Sequence, residues 1–393
     1  MQAGAKDAHE GPSRCACEDR GSLERKCCKA SRSLISQRKG TKMQTLITTR
    51  LKDTTRTLLL QRLARCYSGD KSDWSLFYQP RQERANMATR YHLVYPALAY
   101  YVLLQEQPGL ADELRPKLDT MYRSLLDPRC WTYWHTELKE TTWPLQERNL
   151  TYAGRLATFV GFYIDAFGEP PAERIELDGR SITYSALSES LWKQGVASPN
   201  CGVSCYHHQS MVMCNAHLLI NNVLHDRLFG TNYASGNEGW LRTLDEYLLT
   251  KQSSGPIFYY GTKSNDSAPE QQKISKGADI WALFLMSGVV PERVRYWFRG
   301  WQRNITYSDG RALIEVTDEE AKSEFSSDLL ATSWAFCLAR ELGDADLAVS
   351  LRKTLDGGVA TGFDLDPLLS GLYLLGESLK PGSFRQLVAG EHP

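Results

Sequence analysis

The sequence predicts an all-α protein of the α/α-toroid class, in which helical hairpins form an inner and an outer ring. From about residue 45 onward, apolar residues recur at three- and four-residue spacing, as in amphipathic helices. Breaker-rich loops such as FGEPPAER and VVPERV separate these segments, which favours antiparallel hairpins of helices. A few extended pieces interrupt the helices. The pocket of such a fold lies at one end of the inner ring, between loops and helix ends.

The individual elements follow in order along the chain. We expect ten to twelve helices in all. Segments with helical spacing cover residues 45–67, 90–107, 110–127, 148–168, 202–231, 238–250, 277–288, 325–343, 344–356 and 366–379. One clear β-hairpin is IELDGRSITY, because Asp178-Gly179 suits a tight turn between two alternating runs. Shorter extended pieces are expected at GPIFYYG and ALIEVT.

Residues 1–42 differ in composition from the rest of the chain. They are polar and basic, contain almost no large apolar residues, and hold Cys15, Cys17, Cys27 and Cys28. The C-x-C and C-C spacings lack the paired C-x2-C knuckles of common zinc modules. We expect a disordered extension at 1–42 and a single α/α-barrel domain at 43–393.

Composition narrows the classes of function. The 393 residues are 42% hydrophobic, enough for a large core, and the formal net charge is zero. A neutral balance argues against a nucleic-acid partner, which would need clustered cations. No apolar run is long enough for a membrane span and no signal sequence precedes the domain, so we expect a cytoplasmic location. In such a compartment the ten cysteines are expected mainly as free thiols.

The segment 202–231, GVSCYHHQSMVMCNAHLLINNVLHDRLFGT, combines two cysteines with several histidines. Because each residue turns a helix by about 100°, positions nine apart lie on opposite faces. Cys205 and Cys214 therefore meet only if Cys205 lies on a loop, which the preceding SPNCG favours, with the helix beginning near residues 208–210. One face of this helix would then be polar and the other apolar. The polar positions are Cys214, His217, Asn221 and His225, and the apolar ones are Val212, Ala216, Leu219 and Val223. Such a helix faces either a cavity or water.

Three kinds of chemistry fit these residues. Zinc could bind Cys205, His207 or His208, Cys214 and His217, although the spacing matches no common site, and we predict no metal. A disulfide among Cys201, Cys205 and Cys214 is disfavoured by the expected compartment. Two thiols that converge on a pocket could instead act as acid and base.

The pattern Cys-x8-Cys-Asn followed by HDRLFGT resembles the linalool dehydratase-isomerase family. RYHLVYPALAYY (90–101) and RNLTYAGRLATF (148–159) are similar to early helices of that family, and the resemblance runs from about residue 75 to 300. It implies an (α/α)6 barrel and a homo-oligomer with pockets near subunit contacts. It also implies cofactor-free dehydration or isomerisation of a small apolar or terpenoid substrate by two cysteines. Carried over by position, Cys205 and Cys214 are the acid/base pair, and Tyr91 lies near the pocket.

The chain departs from the family pattern at several positions. Arg155 stands where the family has a histidine, and we include it in the catalytic set because it could bind an anionic or oxygenated group. Tyr206 follows the first cysteine in place of an acid, and the nearest upstream carboxylates, Asp73 and Glu83, do not match the family's aspartate. Linalool is therefore not a safe substrate assignment.

We predict a lyase, isomerase or cyclase that acts on a terpenoid or polyene by cysteine proton transfer, in secondary metabolism. The predicted substrate-binding residues are Trp134, His135, Thr151, Tyr152, Tyr206, His208 and Tyr260, and further aromatic wall candidates are Trp131, Tyr133 and Tyr259. Two alternatives stay open. One is a carbohydrate-active enzyme with paired carboxylates, drawn from Glu137, Glu140, Glu147 and Asp226. The other is a non-catalytic ligand-binding protein on the same fold.

Overall fold

A computed structural model describes residues 55–70, 72–77, 89–205, 209–248, 275–317, 327–360 and 367–390. These residues belong to one compact unit that begins at residue 49. The predicted extension at 1–42 and the extended piece GPIFYYG lie outside the described residues. The domain boundary at residue 43 therefore stays a prediction.

The described part of the chain is mostly helical, as the sequence predicts. Its helices are α1 (55–66), α2 (Tyr91–Glu106), α3 (Ala111–Leu125), α4 (Pro128–Trp131), α5 (Tyr133–Thr136), α6 (Leu150–Phe167), α7 (Tyr184–Ala197), α8 (Val212–Phe229), α9 (Asn237–Thr243), α10 (Lys276–Ser287), α11 (Pro291–Trp301), α12 (Asp328–Leu342), α13 (Ala345–Ala360), α14 (Pro367–Ser378) and α15 (Ser383–Ala389). Within these residues, no helix is both long and apolar enough to cross a membrane.

Six of these helices contact one another in cyclic order: α2, α6, α8, α10, α12 and α14, with α14 packed against α2 again. Almost every described side chain of these helices is buried, which explains why their sequences are apolar around most of the helix. The intervening helices α3, α7, α11 and α13 are amphipathic and pack on them by one face. The ring thus has a polar outside and a continuous buried inside.

The first turns of several ring helices come together at one end of the ring. Side chains from the starts of α2, α6, α8 and α10 contact one another there, as the next section describes. At the other end, α15 packs against α2 and α8, and Phe384 stacks on Phe284 with ring centroids 4.8 Å apart. The carboxyl group of Glu341 accepts hydrogen bonds from the backbone N–H groups of Phe384 and Arg385 and so anchors α15.

Two short antiparallel hairpins interrupt the helices. β1 (Ile175–Leu177) pairs with β2 (Arg180–Ile182) through Asp178-Gly179, whose φ angles of 51° and 71° are those of a tight hairpin turn. The predicted first hairpin is therefore confirmed. β3 (Thr306–Ser308) pairs with β4 (Arg311–Leu313) through Asp309-Gly310 in the same way. The sequence interpretation had placed only an extended piece near ALIEVT.

The structure bears on two expectations for the helix that carries Cys214. It begins at Val212, after the expected start at 208–210, because Met211 still has extended backbone angles. Its polar side is also buried and does not face water, which was one of the two alternatives that the sequence left open. Its polar and apolar faces are both mostly buried, since the polar side chains find partners inside the protein.

Candidate active site

Cys205 and Cys214 lie together, one on a loop and the other in the first turn of α8. Both side chains are buried, and the two thiols form a hydrogen bond with each other. Both are free thiols, as is Cys201, so no disulfide joins these three residues. The sequence argument that only a loop position could bring Cys205 to Cys214 agrees with this geometry.

A set of backbone and side-chain hydrogen bonds holds the Cys205 loop against α8. Asn215 accepts a hydrogen bond from the N–H of Val203 at 2.9 Å and donates to the Val203 carbonyl at 3.2 Å. The Cys205 N–H donates to the Gln209 carbonyl, and the Met211 N–H donates to Sγ of Cys205 at 3.2 Å. The asparagine that follows the second cysteine therefore positions the first one.

Arg155 brings a positive charge to this thiol pair. Its Nη1 donates to Sγ of Cys214 at 3.7 Å and to the Thr151 carbonyl at 2.7 Å. Its guanidinium lies over two aromatic rings, 4.6 Å from the centroid of Tyr91 and 5.2 Å from that of Trp281. Arg155 lies on α6, four residues after Thr151. These contacts hold its guanidinium beside Cys214, which lies on α8.

A second arginine, Arg90, lies immediately before α2 and reaches the same place. Its Nη2 donates to the hydroxyl of Tyr91 at 3.1 Å and to that of Thr151 at 3.0 Å. Its guanidinium also lies 4.8 Å from the ring centroids of Tyr91 and Tyr133. The site therefore contains two thiols, two guanidinium groups and several aromatic rings.

The pKa values of the two thiols shift in opposite directions. Burial raises the pKa of Cys205, and the hydrogen bond to Cys214 raises it further. Burial also opposes ionisation of Cys214, but the hydrogen bond from Cys205 and the charge of Arg155 outweigh it and lower the pKa of Cys214. These opposite shifts make Cys214 the more acidic thiol of the pair and Cys205 the less acidic one.

His217 lies one turn after Cys214 but has a structural role. Its two ring nitrogens lie 3.2 Å from the hydroxyls of Tyr95 and Thr158. Burial lowers its pKa well below the ordinary value, and the charge of Arg155 acts in the same direction, so the imidazole is neutral. No group of three or more histidine, cysteine or acidic side chains in the described residues is arranged to hold a metal ion. His207 and His208, the two alternatives for one ligand of the hypothetical zinc site, lie outside those residues.

Of the other predicted site residues, Tyr91, Thr151 and Arg155 come together with the thiols. Tyr152 instead donates its hydroxyl proton to the Leu125 carbonyl at 2.8 Å. Trp134 donates to the Thr142 carbonyl, and His135 lies 3.3 Å from a carboxylate oxygen of Asp178 on the first hairpin turn. Among further wall candidates, Trp131 donates to the Leu126 carbonyl and Tyr133 to the side chain of Asn149. Tyr206, His208, Tyr259 and Tyr260 lie outside the described residues.

The HDRLFGT segment forms the end of α8. Gly230 has a φ of 67°, a left-handed conformation that favours glycine after a helix. Asp226 accepts hydrogen bonds from the Thr231 hydroxyl at 2.6 Å and from the backbone N–H groups of Tyr233 and Ala234. This carboxylate, one of the four considered for sugar hydrolysis, therefore stabilises a turn.

Sequence reasoning did not single out four residues that complete the site: Arg90, Tyr95, Asn215 and Trp281. Trp281 stacks on Trp334 with ring centroids 5.5 Å apart and packs edge-on against Tyr91 and Tyr95. The one sequence signal was that Arg90 adjoins Tyr91 in the RYHLVY block and Asn215 adjoins Cys214. Trp281 had no such signal.

The chain was also compared with known families. Residues 90–363 match the model of a family described as linalool dehydratase/isomerase. The match covers well over half of the chain and includes every described residue of the site.

Proposed function

Since the chain belongs to the linalool dehydratase/isomerase family, we propose that it is a lyase or isomerase that acts on a terpenoid or polyene-like substrate by cysteine acid/base chemistry. The proposal includes dehydration, double-bond isomerisation and cyclisation, all of which begin with protonation of an apolar molecule. We also propose that the six ring helices are the inner ring of an (α/α)6 barrel, which their cyclic contacts support.

One observation carries the proposal: two buried thiols form a hydrogen bond, and their pKa values shift in opposite directions. A pair of this kind holds a general acid and a general base at the same pH. Cys205 is the acid, because its thiol keeps its proton. Cys214 is the base, because Arg155 and Cys205 stabilise its thiolate.

A dehydration would use both thiols, one as the acid and the other as the base. Cys205 gives its proton to the hydroxyl oxygen of the substrate, the C–O bond breaks, and water leaves. Cys214 takes a proton from a carbon next to the cationic centre, and the C–H electrons form the double bond. The pair now consists of a Cys205 thiolate and a Cys214 thiol. One proton transfer along their hydrogen bond restores the starting state.

The surroundings of the thiol pair are aromatic and buried. Tyr91 and Trp281 present rings beside the pair, and the Arg155 guanidinium lies over both of them. The thiols are buried, so bulk water does not compete with them for protons.

Single Cys205→Ala and Cys214→Ala variants test the proposal with a panel of terpenoid alcohols, alkenes and polyenes in deuterated water. We expect each variant to lose about 10²–10⁴-fold in turnover and in deuterium incorporation. A Cys337→Ala variant is the matched control, because that thiol is equally buried but donates to the Leu372 carbonyl, away from the site. Full turnover in both site variants would show that the thiol mechanism is wrong.

The finer expectations need their own experiments. A homo-oligomer with pockets near subunit contacts, a cytoplasmic location and a place in secondary metabolism all stay predictions. The mass of the native assembly in solution tests the first of them.

A further inference from the structure

Arg90 and Arg155 form a pair of adjacent buried cations. Arg90 is fully buried and Arg155 is 1% exposed. Nη2 of Arg90 and Nη1 of Arg155 both donate to the Thr151 hydroxyl, at 3.0 and 3.3 Å. Both guanidinium groups also lie over the ring of Tyr91. The two like charges are therefore held side by side in the interior, an arrangement that costs free energy unless a negative charge balances it.

Each of these arginines keeps nitrogen atoms without a hydrogen-bond partner. In Arg90 these are Nε and Nη1, and in Arg155 they are Nε and Nη2. The Nε and Nη2 atoms of an arginine share one edge, which binds both oxygens of a carboxylate at once. In the part of the chain that the structure describes, neither guanidinium forms an ion pair with a carboxylate.

The charges at the site leave one positive charge unbalanced. Burial raises the pKa of Tyr95 and of Tyr133, so both phenols are neutral, and His217 is neutral as well. Under the proposed function Cys214 is a thiolate, and its negative charge offsets one guanidinium. The positive charge of the other guanidinium remains unbalanced, and Nε and Nη2 on the open edge of Arg155 remain without a hydrogen-bond partner. A ligand with a single negative charge and two oxygens in one plane matches the unbalanced charge, and its two oxygens fit the open edge of Arg155.

We propose that Arg90 and Arg155 bind a carboxylate on the substrate, so that this chain acts on an apolar carboxylic acid. The inference rests on the proposed function and deepens it, because it names the substrate class of the same site. A phosphate or diphosphate would bring more negative charge than the one positive charge left to balance it. A neutral alcohol would leave that charge unpaired in a buried place.

This binding mode also fixes where the reaction takes place. Arg155 contacts Sγ of Cys214, so a carboxylate on the open edge of Arg155 lies next to the thiol pair. Proton transfer is then confined to carbon or oxygen atoms close to the carboxylate. The apolar remainder of the molecule extends away from the two cations.

A binding experiment tests the substrate class without requiring turnover. The probes are linear isoprenoid carboxylic acids of increasing length, each paired with the alcohol of the same carbon skeleton. Titration calorimetry on the full chain gives both affinities. We expect the acid of the fitting length to bind about tenfold or more tightly than its alcohol, because a charged hydrogen-bonded pair replaces a neutral one.

Two variants sharpen the result. Arg155→Gln should weaken binding of the acid more than binding of its matched alcohol, because it removes the open edge that would hold the carboxylate. Arg352→Gln is the control, because that arginine is also mostly buried and pairs with Glu377 at 2.9 Å, in another part of the protein. If Arg155→Gln does not fold, the pH dependence replaces it. Acid binding to the unaltered protein should weaken below the pKa of the free carboxylic acid, and alcohol binding should not.

The proposal is wrong if no acid in the panel binds more tightly than its matched alcohol, whichever of them binds. This outcome is distinct from a failure of the thiol mechanism. The cysteine variants report on turnover and deuterium incorporation, and the acid preference is a property of binding alone. A Cys205→Ala variant that loses turnover but keeps the preference would support both proposals.

Discussion

Sγ of Cys214 lies 3.7 Å from Nη1 of Arg155, and both side chains are buried. A guanidinium in this position favours the thiolate over the thiol by its charge and by its hydrogen bond. A histidine in this position could lose its charge near neutral pH. Arginine cannot, so the thiolate of Cys214 keeps its cationic partner over the whole working range of pH.

Replacing Arg155 by glutamine should therefore raise the pKa of Cys214. Burial would still oppose ionisation, and the hydrogen bonds from Cys205 and Thr151 would remain to favour it. The ultraviolet absorbance of the thiolate, taken as the difference between each protein and its Cys214→Ser form, measures the titration. In the Arg155→Gln protein we expect the thiolate to appear at a clearly higher pH. Overlapping titration curves would mean that Arg155 does not control the ionisation of Cys214.

The pH dependence of turnover should be bell-shaped. Activity should rise as Cys214 loses its proton and fall as Cys205 loses its own. The lower limb should lie below the ordinary cysteine pKa of about 8.5 and the upper limb above it, because the two shifts have opposite directions. The two limbs belong to the coupled pair and not to separate residues. A profile that only rises with pH would contradict the role of Cys205 as the acid.

Asn215→Ala should impair catalysis more than stability. The substitution removes both hydrogen bonds to Val203 and so releases the loop that carries Cys205. We expect kcat to fall about 10²-fold, because a displacement of about 1 Å is enough for such a loss. Asn222→Ala is the control on the same helix, since Asn222 is also buried and donates to Asn237. It should cost a similar 1–3 kcal/mol or so of stability and leave kcat nearly unchanged. Equal losses of kcat in both variants would count against a positioning role for Asn215.

Local sequence signals predicted the helices and the first hairpin well, because spacing and turn chemistry act over a few residues. The Asp178-Gly179 turn was found in this way, and Asp309-Gly310 carried the same signal for the second hairpin. Burial of α8 was not predictable from spacing, since polar residues on a helix look the same whether they meet water or buried partners. Only the fold supplies those partners, such as Tyr95 for His217.

Contacts within the site could be predicted between residues that are close in sequence. Contacts between distant residues could not. Cys205 and Cys214 are nine residues apart, so helix geometry alone constrained them. Arg90 reaches Thr151 across 61 residues of chain, and no pattern within either segment indicates that contact. The structure was therefore needed to show that Arg90, which precedes α2, is the second cation of the site, because it contacts Thr151 at the start of α6.

Gly371→Ala should destabilise the ring at the contact between α14 and α2. A Cβ atom at this position would lie 2.6 Å from Cγ and 2.7 Å from the backbone Cα of Pro96. Because backbone cannot move aside as a side-chain tip can, we expect a loss of about 1–3 kcal/mol in the free energy of unfolding. Gly109→Ala is the control, since no atom lies within 4 Å of its added Cβ. Denaturant unfolding measures both, and equal midpoints would contradict the close packing of these helices.

Glu341 should make the stability of the protein depend on pH between about 4.5 and 7. Burial raises its pKa from 4.5 to about 7, even though the N–H groups of Phe384 and Arg385 favour the charged form. The folded state therefore holds a proton in this range that the unfolded state has lost, and stability falls as the pH rises through it. Glu341→Gln keeps the side chain neutral at every pH and should remove this slope.

Thermal or denaturant unfolding at several pH values measures the effect. The stability of the unaltered protein relative to Glu341→Gln should decrease by about 3 kcal/mol across the whole window. Glu292→Gln, at an exposed position on α11, corrects for the general effect of one charge. Parallel pH curves for the unaltered protein and Glu341→Gln would mean that Glu341 is ionised throughout. The attachment of α15 to the end of the ring would then depend on a charged carboxylate and not on a protonated one.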